Sequence, residues 1–425
     1  MKRVLIITYY WPPSGGAGVQ RWLKFAKFLP EFDWEPIILT VDPASASYPV
    51  LDESLLYEIP GSTRIFRTRS KEWFSVYKKV SGDDKIPYAG FANEKKTSSF
   101  KQKFARFIRG NFFIPDPRKG WNKYALDQAR DLLKKEKIDS IITSSPPHST
   151  QLIGLTLSKE FGIPWIADLR DPWTDIYYYK QFYPTWLAHR YNLKLEKTIL
   201  EKSSVAITVS PALKNLFAEK IKSSPDKIKV ITNGFDPDDF QDLPSAPSNK
   251  KFVITYVGTM ADIYPLEPFL KAFKSFAESH KGAVLRFIGT VSPEHIKRIK
   301  RIPKENIELI PYVDHRRAIE YMSSSSALLL IIPSNKNNKG IITGKLFEYM
   351  AVKRPILLLG PVDGDAASII NKGKSGIAIE SDKEKEILKT MNKWVKENHK
   401  LEANSKYSRR SLTQKLSEIL DEITS

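Results

Sequence analysis

Short apolar runs alternate with stretches whose apolar residues recur at helical spacing along nearly the whole chain. That pattern belongs to an α/β protein with parallel sheets. In the first half it predicts strands at 3–8, 36–41, 63–67, 139–143, 164–168, 204–209 and 228–232, with helices between several of them, for example at 122–136 and 151–161. The run Val4-Leu5-Ile6-Ile7 has no polar alternation, as expected of a strand buried on both faces. Residues 241–251 are polar and contain prolines, as linkers do. The alternation then restarts. Strands are predicted at 252–257, 283–288, 307–310, 327–332, 355–359 and 376–379, and helices near 265–279, 314–323, 344–352, 365–371 and 383–397. Residues 401–423 read as a last amphipathic helix. The expected organisation is two doubly wound halves: an N-terminal domain over 1–240, the linker 241–251, a C-terminal domain over 252–400, and a tail 401–425 packing back on the first domain. Two such halves facing each other make a cleft at their strand C-termini, where open α/β sheets bind ligands.

The loops at these strand ends carry the candidate chemistry. The first strand runs into Trp11-Pro12-Pro13-Ser14-Gly15-Gly16-Ala17-Gly18, and Val19, Trp22, Leu23, Phe25, Ala26, Phe28 and Leu29 follow at helical spacing. A strand, a glycine loop and a helix aim backbone N–H groups at a phosphate or sugar. The same glycines also suit a turn that only lets helix and strand pack closely. In the second half, Thr343-Gly344-Lys345 would open a helix whose N–H groups can hold phosphate oxygens, with Lys345 adding a charge. Glu348, about one turn further on, is placed to accept hydrogen bonds from ribose hydroxyls; a plain amphipathic helix fits the same text. It is not a P-loop, because three residues separate Gly340 from Gly344 and Leu346 stands where Ser or Thr is needed. Gly258-Thr259 and Gly289-Thr290 each end a strand, as nucleotide-facing or ordinary tight turns.

In the first half, Asp168, Arg170 and Asp171 follow an apolar strand, and His148 follows Thr143-Ser144-Ser145-Pro146-Pro147. Such residues serve either as acceptor ligands and a general base or as a structural ion pair of Arg170 with Asp171 or Asp168. Asp363-Gly364-Asp365 and Asp236-Pro237-Asp238-Asp239 read as surface turns, and no metal is assigned to them.

Composition narrows the choice. The 425 residues contain no cysteine, which removes disulfides, thiolate metal sites and a cysteine nucleophile. No apolar run approaches the length of a membrane span and no leader pattern is evident. The net charge of +19 is spread over both halves, and its sharpest local excess is residues 95–123, where nine basic side chains, among them Lys95 and Lys96, stand against Asp116 alone. Phe100, Phe104, Phe107, Phe112, Phe113 and Trp121 interleave with them. This is either an amphipathic helix packed by its aromatics or a contact for an anionic membrane surface. No nucleic-acid module accompanies it, so no nucleic-acid partner is expected.

Taken in order, the strand followed by Pro-Pro and Gly-Gly, Ile207-Thr208-Val209-Ser210, Val230-Ile231-Thr232-Asn233-Gly234-Phe235-Asp236, Tyr256-Val257-Gly258, Pro311-Tyr312-Val313 and Lys345-Leu346-Phe347-Glu348-Tyr349-Met350-Ala351 resemble glycosyltransferase family 4. The resemblance covers nearly the whole chain. It implies the GT-B fold, two Rossmann-like domains across a cleft, and a nucleotide-sugar-dependent enzyme of cell-surface polysaccharide synthesis. It places Glu348 on the ribose, the Thr343 and Gly344 amides on the diphosphate, Tyr312 and Val313 beside the base, and Gly16 on the donor phosphates. The partners implied are a nucleotide-sugar donor, used as a co-substrate with no cofactor, and a glycan or lipid-linked acceptor held by the N-terminal half. Transfer would retain anomeric configuration without a metal. The expected location is the cytoplasm or the inner face of the plasma membrane.

The chain departs from the family pattern. Gly340 stands where the first of two glutamates eight positions apart is usual, and Thr259 with Asp262 and Tyr264 replaces a basic pair after Gly258. Arg170 or a neighbour takes the place of the family's catalytic histidine, and Lys345 or Lys339 is the candidate to supply the missing diphosphate charge. Two other functions fit these departures: a non-catalytic glycan- or partner-binding protein, and a sugar-nucleotide epimerase on the same two-domain plan.

Overall fold

The computed structural model describes residues 1–71, 100–222, 224–243, 251–335, 337–397 and 401–425. Lys95 and Lys96 and most of the 241–251 segment lie outside the described residues. The chain divides into two compact units, Met1–Thr232 with Arg409–Ser425, and Asn233–Ser408.

The first unit contains β1 (Lys2–Ile7), α1 (Ala17–Phe28), β2 (Trp34–Val41), β3 (Arg64–Thr68), α2 (Phe100–Phe112), α3 (Asn122–Lys135), β4 (Ser140–Ser145), α4 (Thr150–Phe161), β5 (Trp165–Leu169), α5 (Trp186–Lys202), β6 (Val205–Thr208), α6 (Pro211–Ala218) and β7 (Ile228–Val230). Its strands form one parallel sheet in the order β3-β2-β1-β4-β5-β6-β7. Alternate residues serve opposite faces, as the period of two requires. Leu5, Ile7, Ile37, Leu39, Ile141 and Trp165 join Trp121, Ala125, Ile153, Leu157, Ile199 and Phe217 on one side. Val4, Ile6, Ile38, Ile142 and Ile166 join Trp22, Leu23, Phe25 and Ala26 of α1 on the other. The order reverses between β1 and β4, so the loops after these two strands flank a topological switch point.

The second unit repeats the plan with β8 (Phe252–Val257), α7 (Glu267–Ser279), β9 (Ala283–Ile288), α8 (Pro293–Ile299), β10 (Ile307–Ile310), α9 (His315–Ser323), β11 (Ala327–Ile331), α10 (Gly344–Ala351), β12 (Ile356–Leu359), α11 (Asp365–Gly373), β13 (Gly376–Ile379) and α12 (Glu384–Lys396). The parallel order is β10-β9-β8-β11-β12-β13, with the switch between β8 and β11.

The tail differs from expectation. Residues 401–408 are not helical apart from a 3-10 turn at Ser405–Tyr407, where the Asn404 side chain accepts from Lys406 N–H. The last helix, α13, is Arg409–Thr424. Its Leu412, Leu416, Ile419 and Leu420 are buried in the α1 side of the first unit's core. Among the described residues no helix is long and apolar enough to cross a membrane.

Candidate functional site

In the second unit the predicted donor residues gather at the N-terminus of α10 and the end of β8. Thr343 occupies the N-cap position of α10, with an extended backbone, yet its side chain makes no capping bond. Its Oγ1 is buried without a hydrogen-bond partner. A threonine here ordinarily accepts from a first-turn N–H. The hydroxyl and the opening N–H groups, Gly344 among them, are therefore left for something else, at the end of a helix that favours negative charge.

Lys345 Nζ donates to the Tyr256 hydroxyl at 2.9 Å and stands 4.3 Å from the centre of that ring. The hydroxyl in turn donates to the Thr259 carbonyl at 2.8 Å. Burial pulls the Lys345 ammonium below its usual range, opposed by Tyr264 and Glu348. Burial also pushes the Tyr264 phenol up to about 12, so it remains a neutral hydroxyl near pH 7. Gly258 has φ +114, and a Cβ built there would lie 2.8 Å from Lys345 Nζ. That lysine can lie over the end of β8 because the position has no side chain.

Glu348 Oε1 lies 3.2 Å from His315 Nε2, and both side chains are partly exposed. His315 begins α9, capped by Asp314, which accepts from Arg317 N–H. Tyr312 and Val313 lie between β10 and α9, with Tyr312 65% exposed. Lys339 is instead paired with Asp363, both on the surface. A cavity of about 310 Å³ opens at the ends of β11, β12 and β13, bordered by Ser334, Asn338, Gly360, Glu380 and Asp382. It contains none of the predicted donor residues. Among the described residues, no group of three or more His, Asp or Glu side chains is arranged to hold a metal ion.

In the first unit the four catalytic candidates separate into one buried group and three at the strand ends. Asp168 is removed from any substrate: it and Arg21 are fully buried as a pair, Arg21 donating through Nε at 3.3 Å and NH2 at 3.1 Å. Trp22 Nε1 and Ser144 Oγ, both at 2.9 Å, complete the set around its carboxylate. This corrects two expectations: Asp168 is a structural hub rather than a general base, and its partner is Arg21 rather than Arg170. Gly15 is also corrected, since its N–H is already given to the Val50 carbonyl at 2.9 Å. Gly16 caps α1 with φ +103.

Arg170 Nε donates to the Ser145 carbonyl at 3.1 Å. Its guanidinium lies against Gly18, where an added Cβ would be 2.4 Å from NH1. The third glycine of the first loop thus admits an arginine from β5. Asp171 has no hydrogen-bond or ion-pair partner among the described residues, and burial raises its carboxyl above the usual range, against the pull of Arg170. His148 stacks on Trp173, with centroids 4.8 Å apart and planes at 11°. Its Nδ1 is buried without a partner. Burial, then Arg170 and Lys220, push the imidazole down to about 3, so the ring is neutral near pH 7. Trp173 is itself fixed by donation from Nε1 to Asn192 Oδ1 at 3.0 Å and from its N–H to Glu196 at 3.2 Å. Two contributors are missing from the sequence expectations, Arg21 and His315, and Tyr256 entered there only as part of a motif, with no role. Arg21 and Asp168 are 147 positions apart, and no local spacing reports such a pair.

The comparisons agree with this architecture. The family model described as Glycosyltransferase Family 4 matches residues 90–239, and that described as Glycosyl transferases group 1 matches residues 238–411. HepE of Anabaena, solved with UDP and glucose, is similar with a TM-score of 0.61 at 14% identity, over 99% of this chain and 100% of that one. Sucrose-phosphate synthase of Thermosynechococcus elongatus gives 0.57 at 14% identity, over 100% and 95%. The UDP-GlcNAc 2-epimerase of Methanocaldococcus jannaschii gives 0.53 at 12% identity, over 99% and 100%. At these identities the neighbours show the fold alone, which transferases and an epimerase share. No curated protein matches the chain in sequence.

Proposed function

This chain belongs to glycosyltransferase family 4, with the GT-B fold and glycosyl transfer as its activity, and from that premise we propose that it moves a sugar from a nucleoside-diphosphate sugar to a glycan or lipid-linked glycan, with retention at the anomeric carbon. The donor is assigned to the second unit. The observation that carries this is the uncapped N-terminus of α10, where the partnerless Thr343 hydroxyl stands in the same turn as Lys345. Diphosphate oxygens would take up the Thr343 hydroxyl and the Gly344 and Lys345 N–H groups. Lys345, leaving Tyr256, would supply the charge that the family's basic pair supplies elsewhere. The ribose hydroxyls would donate to Glu348, which His315 orients, and the base would lie on Tyr312 and Val313.

In the transfer, the bond from the anomeric carbon to the leaving phosphate oxygen breaks, and a bond to the acceptor oxygen forms on the same face. The acceptor proton passes to the departing phosphate. Negative charge grows on the diphosphate, and the N–H groups of the helix N-terminus meet it without reorganisation, joined by the Lys345 side chain once it has swung from Tyr256. The acceptor is assigned to the first unit, with Arg170, Asp171 and His148 at the ends of β4 and β5. An unpaired carboxylate and a neutral imidazole with a free nitrogen both accept hydrogen bonds from sugar hydroxyls. UDP bound to a structural neighbour makes uridine nucleotides the first to try.

Calorimetric titration of UDP, GDP and ADP and their common sugar forms tests the donor site. One nucleotide should bind saturably, and Lys345→Ala and Glu348→Ala should each weaken it about 10- to 100-fold, since a hydrogen bond to a charged group is worth about 1.5–3 kcal/mol. Unchanged affinity in both variants removes the assignment. Incubation of donor alone separates transfer from epimerisation, because an epimerase interconverts donors with no acceptor present.

A further inference from the structure

Helix α2 presents its aromatic stripe outward. Phe100, Phe104, Ile108 and Phe112 recur every four residues and so share one helix face. The residues that pack inward are Ala105 and Arg106, with the Arg109 guanidinium 4.5 Å over the Phe182 ring. Asn111 ties the helix to the segment before α5: its Nδ2 donates to the Tyr183 carbonyl at 3.0 Å and its Oδ1 accepts from Thr185 N–H at 2.7 Å. This tie brings Phe112 beside the first turn of α5, which repeats the inversion. There Ala188, Asn192 and Glu196 are buried, while Trp186, Leu187 and Tyr191 face outward. Across both helices the outward apolar side chains Phe100, Phe104, Phe112, Trp186, Leu187 and Tyr191 are between 49% and 85% exposed.

The charge around this stripe has one sign. Residues 100–115 and 176–195 contain no Asp or Glu, and Lys101, Lys103, Lys180, Arg190 and Lys194 in them are exposed. Large aromatics flanked by lysine and arginine, on helices too short and too charged to span a bilayer, suit its interface: rings enter the headgroup boundary while ammonium groups meet anionic lipid. A nucleic acid could stack bases on the rings but would leave the aliphatic Leu187 and Ile108 without a partner, whereas a bilayer interface takes up rings and aliphatic groups alike. We propose that the outward faces of α2 and the first half of α5 form a docking surface for an anionic lipid bilayer. This surface lies wholly in the first unit and stands or falls independently of the donor assignment.

The test is cosedimentation of the full chain with vesicles of phosphatidylglycerol and phosphatidylcholine, against phosphatidylcholine alone, at low salt and at 0.5 M salt. The expected result is binding to the anionic vesicles that falls at least tenfold in neutral vesicles and at high salt. Two variants should each lose at least tenfold while keeping the wild-type unfolding temperature: Phe104→Ser with Phe112→Ser and Trp186→Ser, and Lys101→Glu with Lys103→Glu and Arg190→Glu. Brominated lipid should quench part of the tryptophan emission, and Trp186→Phe, a milder change, should remove that part. The proposal is overturned if the wild type does not bind, if the variants bind like it, or if quenching persists without Trp186. Light scattering gives the other decisive outcome: a dimer that the aromatic variant dissociates would assign the surface to a second copy of the chain.

Discussion

Replacing Asp168 by Asn keeps the shape of the first unit's polar hub but removes its charge and one of its two acceptor oxygens. Arg21 then has no counter-charge, because both members of the pair are fully buried and the other nearby ionic group, Arg170, is also a cation, which already lowers the Arg21 guanidinium alongside the larger effect of burial. The new amide also presents two donors to a site where Arg21, Trp22 and Ser144 all donate. Breaking a buried pair from one side costs about 3–5 kcal/mol. At about 2–4 °C per kcal/mol for a domain of this size, the unfolding temperature of the first unit should fall by about 6–20 °C. Scanning calorimetry or circular dichroism reads the shift. Nucleotide binding by the second unit, measured below the new transition, should be unaltered. Adding Arg21→Met to Asp168→Asn should recover part of the loss, because the uncompensated cation is removed with it. A fall of less than about 3 °C for Asp168→Asn alone would refute the assignment of this carboxylate as a structural hub.

Two further outcomes follow from the strand ends. The His148 imidazole is held at about 3 in the folded chain against its usual 6.5, so below pH 6.5 the unfolded chain binds a proton that the folded chain refuses. Stability should therefore fall as pH drops from about 6.5 towards 3, with His148 contributing up to about 1.4 kcal/mol per pH unit; a His148→Gln variant whose unfolding temperature falls just as steeply between pH 7 and pH 4.5 would contradict this. Gly258→Ala places a Cβ on a backbone with φ +114 and 2.8 Å from Lys345 Nζ, costing about 1–2 kcal/mol of strain and moving the lysine. Nucleotide affinity in the calorimetric assay should fall about tenfold, and unchanged affinity would show that the lysine is not needed where it stands.

What the chain reveals in one dimension and what it hides divide along physical lines. The strands of both sheets were legible because parallel strands covered on both faces are continuous apolar runs, as in Val4–Ile7 and Ala327–Ile331, and such runs resemble little else. The tail was over-read: leucine spacing predicts helix from 401, but local side-chain bonds at Asn404 hold the chain in a turn until 409. Helix α10 was legible near 344–352 because its apolar spacing is local. Asp168 was misread because a strand-end carboxylate looks the same whether it faces solvent or a buried arginine supplied by α1. The aromatic stripe of α2 shows in its spacing of four, but spacing cannot say which face of a helix meets the protein. Nor does Gly18 announce that its missing side chain makes room for Arg170, since only the fold brings β5 to the first loop.

The last helix sets an order on how the molecule is made. The second unit is one continuous stretch of chain, whereas the first is assembled from Met1–Thr232 and the distant segment Arg409–Ser425. Leu412, Leu416 and Leu420 complete the packing around Trp22 and Phe25, so the first unit cannot finish folding until residues 409–425 have followed the whole of the second. The second unit has all it needs earlier. A nascent chain therefore carries an open apolar flank on α1 throughout synthesis of the second unit, and loss of Leu412, Leu416 and Leu420 would damage the unit from which they are most distant in sequence.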